Sequence, residues 1–135
     1  MKFKIKTSGH HDFIDITGDV KRIAEESGIK DGIVSIFVTG STAAVTIMEY
    51  EKGIIKDFID VLEKIAPEGA DYEHHKKWND HNGAAHIKSV LIGTDLVVPI
   101  ESGRLQLGVW QQIVLIDFDE KPREREIIVR IISSI

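Results

Sequence analysis

A chain of 135 residues with a net charge of −5 and no cysteine fits one domain with a core of its own and offers neither a disulfide framework nor thiolate chemistry. Apolar residues make up 42% and charged residues 29%, an ordinary globular composition. No Lys/Arg block marks a phosphate-backbone footprint, and no apolar run has the length of a membrane span or the form of a secretory signal. The expectation is a cytoplasmic protein that engages neither nucleic acid nor membrane.

Phe3, Ile5 and Thr7 alternate with lysines, the period of a half-exposed strand, and Phe13–Ile16 is expected to pair with it. Thr17 has the position of a helix N-cap, with Val20, Ile23 and Ala24 as the apolar face and Gly28 as the stop. The β-branched run Gly32–Val38 predicts a central strand buried on both faces. Gly40-Ser41-Thr42 breaks that run before a further strand, Ala43–Met48. From Glu51 the apolar positions Ile54, Ile55, Phe58, Ile59, Leu62 and Ile65 fall at helical spacing, and Pro67 marks the end.

Ala84–Ile92 predicts a short helix closed by Gly93. The last third predicts strands over Asp95–Ile100, Leu105–Asp117 and Glu126–Ile132, separated by turn-forming residues. Gly108 inside the middle one predicts a bulge or a close backbone approach. There Trp110 would pack the core beside Gln112, with Gln111 on the opposite face. Helices and strands that mix without strict alternation predict an α+β fold with a mainly antiparallel sheet and two to four helices.

Four of the six histidines fall between Tyr72 and His86, together with Asn79, Asp80 and Asn82. Imidazole, carboxylate and carboxamide so interleaved can ligate metal, shuttle protons or hold phosphate. His74, Asp80 and His86 stand six residues apart. They would supply three positions around zinc, or an acid, a base and an orienting carboxylate without metal. A polar surface loop whose histidines cap helix ends is the simpler alternative. The hydroxyls and backbone N–H groups of Thr39-Gly40-Ser41-Thr42 are a candidate anion cradle, and no Gly-x-Ser-x-Gly frame makes Ser41 a nucleophile.

Taken together, Tyr72-Glu-His74, Asp80, Asn82, Ala85-His-Ile-Lys88, Leu91-Ile-Gly93, Val98-Pro99, Gly103-Arg-Leu105, Gly108-Val-Trp-Gln111 and Pro122-Arg123 resemble the YjbQ-like family. Gly32–Ile47 and Glu49 extend the likeness over nearly the whole chain, residues 1–135. Members are often described as secondary thiamine-phosphate synthases. The resemblance implies a small α+β domain assembling as a homotrimer. It also implies a polar pocket of His74, Asp80, Asn82 and His86, with Gln111 from the Gly-x-Trp-Gln motif.

One departure stands out: many members carry a histidine where this chain has Gly40, and His75 and His81 are the candidates to replace it. The implied reaction joins a pyrimidine diphosphate to a thiazole phosphate and expels pyrophosphate, for which Lys88, Arg104 and Arg123 offer positive charge. Paired aspartates of the kind that hold two Mg²⁺ ions are not expected. A weak or secondary activity on a small phosphorylated metabolite fits better than a dedicated synthase. A divalent metal is expected at His74 and His86, zinc on the preference of imidazole, with Mg²⁺ as the alternative alongside a phosphorylated substrate. A trimeric metal- or anion-binding protein without turnover is the competing expectation.

Overall fold

The computed structural model describes residues 1–78 and 80–134, so Asn79 lies outside the described residues. One antiparallel sheet has the order β1 (Lys2–Lys6), β8 (Glu124–Ser133), β3 (Gly32–Val38), β5 (Asp95–Glu101), β6 (Arg104–Leu105). A smaller one has the order β2 (Asp12–Asp15), β7 (Gln112–Asp117), β4 (Ala43–Met48). The helices are α1 (Thr17–Ser27), α2 (Lys52–Ile65), α3 (Glu73–Lys77) and α4 (Gly83–Ile92). The fold is α+β with antiparallel sheets, and the predicted helix boundaries after Glu51 and before Gly93 hold.

The alternation of β7 organises the interior. Ile113 and Leu115 face a core shared with Val20 and Ile23 of α1, Val34 and Ile36 of β3 and Val129 of β8. Val114 and Ile116 face a second core with Phe13, Leu62 of α2 and Ala85 of α4. All four β7 residues are fully buried, each stabilising the fold by about 1.5–3 kcal/mol. Leu115→Ala would leave a cavity costing about 2–5 kcal/mol.

Several expectations are corrected. The strand buried on both faces is β7, not β3: Ile33 and Phe37 of β3 are 36% and 41% exposed. Phe3–Lys6 pairs with β8 and Phe13–Asp15 with β7, so the first two strands do not pair with each other. Thr17 is the first residue of α1 rather than its cap. Its hydroxyl and its N–H both donate to the Asp15 carboxylate, at 2.6 and 2.9 Å, while the hydroxyl accepts from the Ile113 N–H.

The long strand over Leu105–Asp117 is interrupted. The Gln111 N–H donates to the Gly108 carbonyl at 3.0 Å, and its side-chain Oε1 accepts the Gly108 N–H at 2.8 Å. This closes a turn between β6 and β7 and leaves Trp110 71% exposed rather than packed in the core. Alternation alone does not register that a side-chain amide can take over the ladder's hydrogen bonds.

Candidate functional site

α3 and α4 meet at a tight junction. A Cβ on Gly83 would lie 2.7 Å from Tyr72, so only glycine lets the first turn of α4 approach this closely. The free Gly83 N–H donates to Nε2 of His75 at 3.0 Å, and the imidazole takes the role of a helix cap. The junction sets the His74 ring 4.6 Å from that of His86, tilted by 59°. It also sets His74 Nε2 3.3 Å from Asp80 Oδ1. His74, Asp80 and His86 thus converge, although thirteen residues span them.

The turn after β3 approaches from the other side. Gly40, Ser41, Thr42, Asn82 and His86 line one cleft of about 370 Å³ together with Asp119, Arg123, Glu124 and Arg125. Beneath it lies a buried charge network. Arg125 donates through Nε and Nη2 to both oxygens of Asp117, at 2.8 and 2.9 Å, and through Nη2 to the Thr42 hydroxyl at 2.6 Å. Thr42 donates onward to Asp119 at 2.9 Å, which also accepts from Arg123 Nε at 2.9 Å. The Thr42 hydroxyl is buried and committed, so within the predicted cradle it anchors the turn, and Ser41 is the hydroxyl left exposed.

Asp117 and Asp119 do stand two residues apart, but arginines and hydroxyls occupy their oxygens. Burial alone would raise both carboxyls. The bonds from Arg125 and Thr7 to Asp117, and from Thr42, the Glu120 N–H and Arg123 to Asp119, outweigh it and hold both below the usual carboxylate range. Burial, reinforced by His74, lowers the His86 pKa despite the opposing pull of Asp119, Asp80 and the Ser41 backbone. His86 is therefore neutral near pH 7 and fit to accept a proton or ligate a metal.

Three atoms at this junction are buried without a hydrogen-bond partner among the described residues: His74 Nε2, Asp80 Oδ1 and Asn82 Oδ1. His74 Nε2 and Asp80 Oδ1 are close but not aligned as donor and acceptor. Orphaned polar atoms are costly, and an imidazole nitrogen with two oxygens is a donor set that a divalent cation satisfies. Two ligands on one tetrahedral zinc stand roughly 3.3 Å apart, which is the separation of His74 Nε2 and Asp80 Oδ1, so that pair fits a metal. A different trio, His11, Glu63 and Glu68, brings one ligand atom each within 4.8 Å of the others and could also hold a metal. There the Lys88 ammonium already contacts Glu63 and lies 2.8 Å from His11 Nε2, so an ion would have to displace it.

The remaining expected residues are dispersed. Gln111 and Arg104 line a separate cleft beside Lys21 of α1. Lys88 is 1% exposed in its own cluster, leaving Arg123 as the expected cation that reaches the His86 cleft. Neither candidate for the missing histidine replaces it: His75 is occupied by Gly83, and His81 lines another cleft with His10 and Glu68. Arg125, Asp117, Asp119 and the His11 cluster were not anticipated. A charged residue ending the apolar run Ile113–Ile116 was the available signal, because a buried charge requires a partner.

These features define a small two-sheet α+β protein with a His/Asp/Asn junction beside a turn-lined polar cleft. A family model described as UPF0047 protein YjbQ-like matches residues 1–134, and the chain belongs to that family. A UPF0047 protein of Archaeoglobus fulgidus is 40% identical, covering 96% of this chain and 98% of the relative. The crystal structure of an uncharacterised YjbQ/UPF0047 protein from Clostridium acetobutylicum is 38% identical with a TM-score of 0.88, covering 98% and 99% of the two chains. A structure from Sulfolobus solfataricus, described as a YbjQ-like protein of unknown function, is 34% identical with a TM-score of 0.89, covering 99% and 97%.

Proposed function

We propose that this protein is a small-molecule transferase of the thiamine-phosphate-synthase type, with that activity weak or secondary. The observation that carries the reading is that Asn82 and His86 line one polar cleft with the Gly40–Thr42 turn, while His74 and Asp80 stand directly behind His86. In the reaction a thiazole nitrogen attacks the pyrimidine methylene carbon, a C–N bond forms, and the C–O bond to diphosphate breaks with its electrons leaving on pyrophosphate. Ser41 and Arg123 bind phosphate oxygens, Asn82 orients, and His86 donates an N–H hydrogen bond to the departing pyrophosphate, since the attacking thiazole nitrogen has no proton to lose. His74, Asp80 and Asn82 would hold a divalent ion, zinc or Mg²⁺, which when bound supplies Lewis-acid stabilisation of phosphate charge. Incubation with the pyrimidine diphosphate and thiazole phosphate should yield thiamine phosphate and pyrophosphate. Absence of both products, with and without added zinc or Mg²⁺, overturns the enzyme reading.

A second reading, metal or anion binding without turnover, is favoured by the three unpartnered atoms, which require a ligand but no reaction. Under either reading we propose a homotrimer. Ile33, Phe37, Val97 and Ile132 lie exposed on the outer face of the larger sheet, an apolar patch of the kind subunits cover.

A further inference from the structure

We infer that Arg125, through Nη1, is an anion-recognising donor of the cleft, and that glycine at position 40 is what admits it. The inference rests on the phosphate-binding reading above and adds to Ser41 and Arg123 a third, pre-oriented donor. Arg125 is only 7% exposed. Its Nε and Nη2 are fixed by Asp117 and Thr42, whereas Nη1 makes no hydrogen bond among the described residues. Nη1 lies against Gly40, on the wall of the cleft that Ser41, Asn82 and His86 also line. A Cβ at position 40 would stand 2.7 Å from it, and the backbone there has φ +120°, which side chains rarely adopt.

The guanidinium is therefore pre-oriented, with two edges locked and one nitrogen still able to donate. A planar fork held in this way loses little freedom on binding an oxyanion. Asp117 balances its charge, so the group selects for geometry more than it attracts by field, and the ligand class is a phosphoryl or diphosphoryl group seated between Nη1 and Ser41. Arg123, tied through Nε to Asp119, flanks the same cleft.

Five arginines make the guanidinium signals resolvable. The test titrates inorganic phosphate, then pyrophosphate, into the full chain labelled with ¹⁵N-arginine, with Arg123→Lys used to assign the neighbouring signal. Saturable shifts of the Arg125 resonances are expected. Gly40→Ala should weaken the titration roughly tenfold, as for loss of one charge-assisted bond. Should that variant fold poorly, the shifts in the parent protein decide alone. Arg125 signals that stay unmoved, whether the Arg123 signal shifts or nothing does, overturn the inference. Arg125 shifts in a protein that forms no thiamine phosphate support it while removing the enzyme reading.

Discussion

The ammonium of Lys88 lies 2.8 Å from Nε2 of His11. Lys88 is almost fully buried on α4, and Glu63 of α2 is its other partner. A lysine so placed needs both acceptors, so His11 must present a bare nitrogen. Burial and then the Lys88 charge lower the His11 pKa, against the raising influence of Glu68 and Glu63. The ring also meets Phe118 edge-on at 5.7 Å, which ties the cluster to the second core.

Lys88→Met should destabilise the protein by about 2–3 kcal/mol in urea unfolding. Removing one partner of a buried pair costs about 3–5 kcal/mol, and Glu63, a third exposed, recovers part of that by rehydrating. A change below about 0.5 kcal/mol would mean that the ammonium is not structurally engaged.

Both His11 and His86 have lowered pKa values, and the sign follows. The unfolded chain binds protons near pH 6.5 while the folded chain still resists them. Stability therefore falls as pH drops below that value, down to the folded pKa, where the loss is complete. In the opposite sense of charge, Asp117 and Asp119 stabilise above the unfolded carboxylate range, and that contribution disappears only as pH falls through their depressed folded values. NMR titration should place the His86 ring below the ordinary histidine range; a midpoint above it would contradict the burial argument.

Purification without chelators should leave a transition metal, zinc first, on the His74, Asp80 and Asn82 junction. His74→Ala should abolish it, and Asn82→Ala should weaken it by roughly ten- to a hundredfold. Metal content under a tenth of an equivalent, unchanged on zinc addition, rejects the site. Metal that survives His74→Ala but not Glu63→Gln would relocate it to the His11 group.

Thr42 and Ser41 should separate stability from binding. Thr42→Val removes a buried hydroxyl that serves Asp119 and Arg125 and should cost about 1–3 kcal/mol of stability. Ser41→Ala, at an exposed position, should leave stability within about 0.5 kcal/mol while weakening phosphate binding. Calorimetry and urea melts on the same samples would detect the reverse assignment.

Light scattering at micromolar concentration should return a trimer, and Phe37→Glu on the exposed sheet face should dissociate it. A monomer in the parent protein rejects the assembly.

Much of the fold was legible because period is visible in sequence: the helical stripe from Ile54 to Ile65 and the apolar run of β7 each announce their element. Pairing was not, since nothing local tells Phe3 that its partner is Ile127 rather than Phe13. The His74, Asp80 and His86 group was legible through proximity in the chain. Arg125 was not, because its role depends on Asp117, Thr42 and a glycine 85 positions earlier, contacts that only the folded topology creates.

α4 is a single ten-residue helix with two allegiances. Asn82, at its start, and His86 line the cleft, while Ala85, Lys88 and Ser89 are buried on its inner side, Ser89 donating to the Ala43 carbonyl at 2.6 Å. The cleft consequently has no independent lease on its shape. Any opening that lets water reach the second core must tear the site apart in the same event. Amide exchange along α4 should then follow the slow global class rather than that of a loop, and ligand affinity should vanish with the core in one cooperative step.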